Sequence, residues 1–413
     1  MNKRNLLSGL VVGLLLSTGI AYADQTLRFA TWDSSASLEI QKKIAVNFEA
    51  AHPGVKVQVE SYGDGYDQKM SAGFGAGNPP DVMYMWDFPT YQASLESLDP
   101  YIAKGGIDLK DMPASLLNYS KIKNADGTDR IVGVPSGFTT HVVYYNKAMF
   151  DAAGVPYPKE GWTWDDLRAT AKKIANKEKK TYGYGVDGNA DPYDFQSYLW
   201  SAGTAWVSPD GKTTEGFLNS PETKNIFGMF VDMVKTGDAV LFGVGDNQSY
   251  RELFISDRLA MVESGNWPKP DFEAANKKFG VVGLPSFPGR PAVSVVNIAA
   301  LSMAKDSKEK DLAWDFIKFY SSADSVAMRT NEMPLLNSVA QKLGLTEGEN
   351  TSAFFKMMPG ADSTNVPSFL LNANWAKAQS AITEAIQQIY VDLDNVGPTL
   401  DAAAAKADKA LNK

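Results

Sequence analysis

Short apolar runs alternate with longer stretches of helical period along the first part of the chain. The predicted elements, in chain order, are a strand at residues 26–30, a helix with Ile40, Ile44 and Phe48 on one face, a strand at 55–59, a helix at 66–76 and a buried strand at 81–85. In the 55–59 strand every second residue is valine. Strands that alternate with helices pair in parallel through crossover connections, so the pattern predicts an α/β fold.

The first 23 residues have the pattern of a secretory signal peptide. Lys3 and Arg4 precede an apolar stretch at residues 6–16, and Ala21 and Ala23 have the spacing that signal peptidase recognises. We therefore expect cleavage after Ala23 and export from the cytoplasm. The chain has no cysteine, which excludes disulfides, thiol chemistry and a lipid-modified cysteine at the cleavage site. The mature protein is expected to be free in the periplasm.

Composition narrows the class of protein further. The chain has 413 residues, of which 44% are hydrophobic and 11% aromatic, enough for two or three units with cores of their own. A net charge of −8 argues against nucleic acid or anionic lipid as a partner. The sequence contains no His-Glu-x-x-His motif, phosphate loop or nucleophile elbow. We therefore predict no metal, no cofactor and no catalytic residue.

Aromatic and polar residues follow three of the apolar runs, where ligands collect in open α/β sheets. They are Trp32 and Asp33, Trp86 and Asp87, and, after the run at 260–262, Glu263, Asn266 and Trp267. Sugar rings have C–H faces that pack on indole or phenol, and hydroxyl edges that need carboxylates and amides. The combination therefore suits a carbohydrate. The alternative for Trp32 and Trp267 is packing within a core.

Several short segments occur in the order that a known family shows. They are Ala-Gly-Asn-Pro-Pro-Asp-Val at 76–82, Gly-Val-Pro at 133–135 with Tyr-Tyr-Asn-Lys at 144–147 and Phe150, Trp-Thr-Trp-Asp-Asp-Leu at 162–167, and Ala-Met-Val at 260–262 with Gly-Asn-Trp at 265–267. With these segments the chain resembles the family 1 extracellular solute-binding proteins of ABC transporters, the group of the maltose-binding protein. The resemblance covers nearly the whole length that follows residue 23.

The resemblance implies a periplasmic binding protein fold of type II, with two lobes joined by three crossovers and a ligand cleft between them. The crossovers are expected near residues 138–142, 292–296 and 333–346. The N-terminal lobe then comprises 24–140 and 295–340. The C-terminal lobe comprises 141–294 and 341–413.

Site residues also carry over from the family. The resemblance makes Trp267, Tyr193 and Trp375 aromatic walls of the site, and it places Phe138 and Thr139 on the first crossover as ligand contacts. The maltose-binding protein has an acid there, so Thr139 argues against a linear maltodextrin. Asn297, just beyond the second crossover, is a further candidate. Other polar residues are expected outside the site: His141 is predicted to be a satisfied packing residue, and Arg290 to be a solvated loop residue.

The function that the resemblance implies is that of the periplasmic substrate-binding component of an ABC importer. It would bind a sugar or oligosaccharide, act as a monomer without catalysis, and deliver its ligand to a membrane permease. Two alternatives stay open. Paired carboxylates among Asp33, Asp87 and Glu263 would suit a glycoside-acting enzyme. The same acids beside aromatic rings would also suit a non-sugar ligand such as a polyamine.

Overall fold

The computed structural model describes residues 25–124, 126–244, 248–330, 332–358 and 365–412, and the predicted signal peptide lies outside these ranges. The strands are β1 (Gln25–Thr31), β2 (Val55–Ser61), β3 (Val82–Met85), β4 (Lys121–Lys123), β5 (Asp129–Ile131), β6 (Val134–Thr140), β7 (Val142–Asn146), β8 (Tyr182–Asp187), β9 (Ala239–Phe242), β10 (Leu259–Ser264), β11 (Phe279–Val282), β12 (Val296–Met303) and β13 (Met333–Pro334). Single turns of 3-10 helix cover Gly63–Gly65, Leu109–Asp111 and Ser368–Leu370.

The helices of the described residues pack around these strands. They are α1 (Ser35–Ala51), α2 (Tyr66–Gly75), α3 (Phe88–Tyr91), α4 (Asp99–Ile102), α5 (Ala114–Tyr119), α6 (Lys147–Ala153), α7 (Trp164–Ile174), α8 (Pro192–Ala202), α9 (Pro221–Thr236), α10 (Tyr250–Ile255), α11 (Lys269–Ala274), α12 (Lys310–Tyr320), α13 (Ala323–Met328), α14 (Asn337–Lys342), α15 (Ser352–Lys356), α16 (Trp375–Val391) and α17 (Val396–Leu411). Thr163 begins α7 with a capping box, because its hydroxyl accepts from Asp166 N while the Asp166 carboxylate accepts from Thr163 N.

The first sheet has six strands in the order β13–β6–β12–β3–β1–β2. β1 pairs in parallel with β2 and β3, which confirms the prediction from the strand and helix pattern. Ile44 and Phe48 of α1 are fully buried and confirm the predicted apolar face. β12 runs antiparallel to β3 and β6. The local pattern does not reveal this pairing, because β12 lies far from both partners in the chain.

The second sheet has five strands in the order β11–β7–β10–β8–β9. β10, β8 and β9 are parallel, and β7 is antiparallel to β10 and β11. Helices cover both faces. Phe254 of α10 stacks on Phe272 of α11 with ring centroids 4.3 Å apart. The last helices return to this sheet, since the Tyr390 hydroxyl of α16 donates to the Asp187 carbonyl at the end of β8.

The chain crosses between the sheets three times. β6 ends at Thr140 and β7 begins at Val142, so His141 alone separates the two sheets at the first crossover. The second crossover joins β11 to β12, and the third follows β13 and leads towards α16. We refer to the six-stranded sheet with its helices as the N-terminal lobe, and to the five-stranded sheet with its helices as the C-terminal lobe. The residue boundaries predicted for the lobes stay predictions.

Close packing of α7 on β8 requires glycine at position 183. A Cβ atom there would lie 2.3 Å from the backbone Cα and O of Ala171 in α7. We therefore expect Gly183→Ala to push the helix outward and to lower the free energy of unfolding by about 1–3 kcal/mol. Urea unfolding of the variant measures this loss.

A matched control is Gly228→Ala in α9, where an added Cβ meets nothing within 4 Å. That change is expected to raise the free energy of unfolding by about 0.5–1 kcal/mol, because alanine favours the helix over the unfolded chain. A Gly183→Ala variant as stable as the parent would contradict the close approach of α7 to β8.

Candidate ligand-binding site

A cavity of about 440 Å³, here called the main cavity, lies between the two lobes. The N-terminal lobe lines it with Trp32, Gly63, Tyr66, Asp67, Trp86 and Asn297. The α8 helix and the C-terminal part of the chain line it with Asp191, Tyr193, Gln196, Phe369, Trp375 and Gln379. Because its walls belong to both lobes, a ligand held here contacts both.

Aromatic rings from both lobes meet in the main cavity. Trp86 and Phe369 form an edge-to-face pair with ring centroids 5.2 Å apart, and Phe369 lies 6.3 Å from Tyr193. Trp32 is held by an edge-to-face contact of 5.2 Å with Tyr66. These contacts fix the rings before any ligand arrives, so they offer preformed apolar faces.

The polar groups of the main cavity are acceptors and amides. Asp67 accepts a hydrogen bond from Trp86 Nε1 at 3.3 Å. Asp191 Oδ1 accepts from Tyr193 N at 3.0 Å and from Gln379 Nε2 at 3.3 Å, and burial raises the pKa of its carboxyl. The buried Tyr193 hydroxyl has no hydrogen-bond partner among the described residues. None of the described lining residues is a lysine or arginine.

A second cavity of about 410 Å³, the hinge cavity, adjoins the main cavity and shares Trp32 and Asn297 with it. Thr139 lines it, and the Thr139 Oγ1 atom accepts a hydrogen bond from Asn266 N at 2.8 Å. This bond joins β6 of the N-terminal lobe to the end of β10 in the C-terminal lobe. The hinge cavity therefore lies directly beside the first crossover.

Hydrogen bonds from residues of the N-terminal lobe fix two acids of the hinge cavity, Asp33 and Glu332. Burial raises the pKa of Asp33, while Gln41 Nε2 donates to its carboxylate. Glu332 Oε1 accepts from the buried Arg329 at 2.7 Å. These acids therefore keep fixed positions at the cavity wall.

A third cavity of about 310 Å³, the inner chamber, is lined by His141, Asp194, Tyr250, Glu263 and Trp267 among others. Trp267 also lines the hinge cavity, so its indole separates the two. The indole lies over Gly265, where a Cβ atom would lie 2.4 Å from the ring. Trp267 Nε1 donates to the Tyr250 hydroxyl at 3.1 Å. These contacts position the Trp267 ring.

All the predicted site residues except Asp87 and Asn266 line one of these three cavities. The main cavity contains Trp32, Trp86, Tyr193, Asn297 and Trp375, the hinge cavity contains Trp32, Asp33, Phe138, Thr139, Trp267 and Asn297, and the inner chamber contains Glu263 and Trp267. Phe138 also belongs to the core, where it packs edge-to-face on Phe355. Asp87 caps α3 by accepting from Thr90 N, and Asn266 is 1% exposed. Whether these residues contact the ligand stays a prediction.

His141 is 1% exposed, which agrees with its predicted packing role, but its polar atoms are not all satisfied as predicted. Its Nδ1 lies 3.0 Å from Glu263 Oε1, but its Nε2 is buried without a hydrogen-bond partner among the described residues. The ring lines the inner chamber. Its position between β6 and β7 explains the error, because a strand pattern does not show that the residue joining two sheets faces their cleft. Arg290 is exposed, as predicted for a loop arginine.

Sequence reasoning missed several residues of the main cavity. Gln379 follows Trp375 by one helical turn on α16, so helical spacing alone predicts that both share one face. Tyr66 and Asp67 begin α2, close to strand ends already singled out. Phe369 lies in a single 3-10 turn that has no periodicity to read. Its place in the cavity depends on tertiary structure alone.

The described residues contain no helix that is both long and apolar enough to cross a membrane. In the same part of the chain, His, Cys, Asp and Glu side chains form no group of three or more that could hold a metal ion.

Two α/β lobes, three crossovers and a cavity lined by both lobes define a two-lobed ligand-binding protein. The model of the bacterial extracellular solute-binding protein family matches residues 30–327, so the chain belongs to this family of ABC transporter components. A binding protein of Brucella abortus (strain 2308) is 26% identical over 427 residues, covering 100% of this chain and 98% of the relative. The sn-glycerol-3-phosphate-binding periplasmic protein UgpB of Escherichia coli (strain K12) is 25% identical over 443 residues, covering 98% of this chain and 97% of the relative.

The fold also matches solved structures. An ABC transporter solute-binding protein of Thermotoga lettingae, bound to α-D-tagatose, superposes with a TM-score of 0.80 at 24% identity, covering 94% of this chain and 100% of that protein. The match confirms the predicted two-lobed α/β fold, and the family model confirms the predicted family.

Proposed function

We propose that this protein binds a sugar or oligosaccharide in the cleft between the lobes, in the main cavity and the adjoining hinge cavity, and presents it to the permease of an ABC importer. The observation that carries the proposal is the meeting of Trp86, Phe369 and Tyr193, from separate parts of the chain, in one cavity whose polar groups are carboxylates and amides. Flat rings suit the C–H faces of a pyranose, and the polar groups suit its hydroxyls. Leaving one buried hydroxyl unpaired costs about 1–3 kcal/mol, so the polar groups set specificity.

The charges of the site argue against a phosphate ester, the ligand named for the UgpB relatives. The described lining of the main cavity contains Asp67 and Asp191 but no lysine or arginine. The described lining of the hinge cavity adds the acids Asp33, Asp271 and Glu332, again without a cation. An anionic ligand would meet repulsion on every side, because buried charges need opposite charges nearby.

Export, closure and delivery complete the proposal. The signal peptide is removed after Ala23 and the mature monomer stays in the periplasm. A ligand that touches both lobes favours their closed arrangement, and moving the lobes from 1:99 to 99:1 closed needs about 5.5 kcal/mol of such preference. The closed lobes then present a combined surface to the permease. The relatives are named as binding proteins, which supports a function without catalysis.

The first experiment identifies the ligand that copurifies with the full-length protein. After expression in a bacterial host with export to the periplasm, mass spectrometry of the denatured protein is expected to find a released sugar. Calorimetric titration with maltose, cellobiose and a cyclic glucan, against glycerol 3-phosphate and putrescine, then ranks ligand classes. The proposal would be overturned if glycerol 3-phosphate or putrescine bound and no sugar gave a measurable heat of binding.

The same preparations test for catalysis. Incubation with each oligosaccharide is expected to leave its length unchanged by mass spectrometry. A shortened product would favour the glycoside-acting enzyme instead, with two carboxylates placed on either side of the scissile bond.

A further inference from the structure

The inner chamber contains polar groups that the proposed sugar site in the main and hinge cavities does not use. It lies on the other side of the Trp267 indole from the hinge cavity. Glu263 comes from the end of β10, Asp194 from the first turn of α8, and His141 from the first crossover. Three separate parts of the C-terminal lobe therefore place ionisable side chains around one small space.

Three buried polar atoms of residues that line the inner chamber have no hydrogen-bond partner among the described residues. One is Arg251 Nε, a donor in an ion pair with Asp271, and the other two are His141 Nε2 and Glu263 Oε2. The His141 and Glu263 side chains are only 2% and 4% exposed. His141 Nδ1 lies 3.0 Å from Glu263 Oε1. Since a carboxylate only accepts, Nδ1 carries the proton in this contact. The Tyr198 hydroxyl also interacts with the Glu263 carboxylate, whose Oε2 atom can still accept a hydrogen bond from a ligand.

Asp194 adds a second carboxyl group. Burial raises the pKa of its carboxyl to about 7. The charge of His141 lowers this pKa, but by less than burial raises it. Asp187 differs, because its oxygens already accept from the backbone N–H groups of Asn189 and Asp191. Arg251 also lines the chamber, and its Nε atom lies 3.0 Å from a carboxylate oxygen of Asp271. This ion pair balances the positive charge of Arg251. The acids that line the chamber, Asp187, Asp194 and Glu263, therefore outnumber its one described arginine.

Aromatic side chains also line the inner chamber, among them Trp267, Tyr198 and Tyr250. The His141 ring lies 5.6 Å from the Trp267 ring and 5.8 Å from the Tyr193 ring, both edge-to-face. A cation within about 6 Å of such ring faces is attracted by their quadrupoles. An ammonium group donates three hydrogen bonds, enough to reach both carboxyl groups, and also supplies positive charge. A neutral hydroxyl donates one hydrogen bond and supplies no charge.

We propose that the inner chamber binds the protonated amino group of an amino sugar, with the ammonium donating to Glu263 and Asp194 beside the ring of Trp267. This inference rests on the proposed sugar-binding function and narrows it to one class of sugar. The rest of the sugar extends past Trp267 towards the hinge cavity.

The test compares matched pairs of probes by calorimetry at pH 7. Each pair differs only in an amino or hydroxyl group: glucosamine and glucose, galactosamine and galactose, and the glucosamine disaccharide and cellobiose. We expect the amine in at least one pair to bind at least tenfold more tightly than its partner. N-acetylglucosamine, which has lost the charge, is expected to bind at least tenfold more weakly than glucosamine.

Charge-removing variants show whether the preference arises in the inner chamber. Asp194→Asn and, separately, Glu263→Gln keep the side-chain shape, and each is expected to reduce the preference for the amine by about tenfold. Asp165→Asn is the control, because its carboxylate is 82% exposed on the surface and its loss should leave the preference unchanged. Thermal unfolding shows whether each variant is folded. If one of the two charge-removing variants does not fold, the other one provides the test.

Three outcomes overturn the inference: no binding of any amine probe, equal or tighter binding of the neutral partner in every pair, or an amine preference that survives both charge-removing variants. The proposed function is judged separately. A neutral sugar that copurifies and binds would sustain the sugar receptor while excluding the amine site.

Discussion

The Trp267→Ala variant is expected to bind the sugar roughly 30- to 150-fold more weakly than the parent protein. The indole lines both the hinge cavity and the inner chamber, and Gly265 and Tyr250 fix its position. Its removal eliminates ring burial and stacking worth about 2–3 kcal/mol, which corresponds to that range of affinity. Because the ring is held before binding, no ordering cost offsets this contribution.

Calorimetry with the sugar identified by mass spectrometry measures the loss. Trp267→Phe, which keeps a flat ring, is expected to lose less than about tenfold in affinity. Trp314→Phe is the control, because Trp314 is buried in the N-terminal lobe against Tyr101 and lines none of the three cavities. Parent-like affinity of Trp267→Ala would remove Trp267 from the site.

The largest stability loss is expected for Arg329→Ala, at about 3–5 kcal/mol of the free energy of unfolding. Arg329 is 3% exposed. Its guanidinium donates to Glu332 Oε1 at 2.7 Å, to the Tyr320 carbonyl at 2.8 Å and to the Ser136 carbonyl. Without it the Glu332 carboxylate, whose pKa burial already raises, has no cation nearby. Two backbone carbonyls lose their donor as well.

Urea unfolding of the purified protein tests this expectation. The double variant Arg329→Met with Glu332→Gln removes both charges and should recover a large part of the loss, since an uncompensated buried charge costs more than a missing ion pair. Lys42→Ala breaks an exposed pair with Glu39 and should change the free energy of unfolding by less than about 0.5 kcal/mol. If Arg329→Ala lost no more than Lys42→Ala, the buried pair would not stabilise the fold.

Much of the architecture is readable from local pattern, because the elements concerned are neighbours in the chain. β1, α1, β2, α2 and β3 follow one another and pair in that neighbourhood, so period and burial suffice to predict them. The rule that ligands collect at the carboxyl ends of strands finds Trp32, Trp86 and Trp267 for the same reason. A strand end is a local feature of the sequence.

Residues whose role depends on distant packing were not predictable in this way. Asp87 has the same local setting as Asp33, yet its carboxylate caps α3 and lines none of the three cavities. Phe369 lies in a 3-10 turn near the C-terminus, and only the tertiary fold places this turn at the main cavity. The free Nε2 of His141 depends on which atom faces Glu263, and a single sequence does not specify that geometry.

The first crossover has a mechanical consequence. Because the linker is a single residue, the two sheets can move relative to each other at this point only by rotation about the few backbone torsion angles around His141. Any such rotation also moves the imidazole of His141 and changes the geometry of its hydrogen bond to Glu263. The residue that joins the two sheets therefore also lines the inner chamber, so we expect a substitution at position 141 to change the relative position of the sheets and the shape of that chamber together.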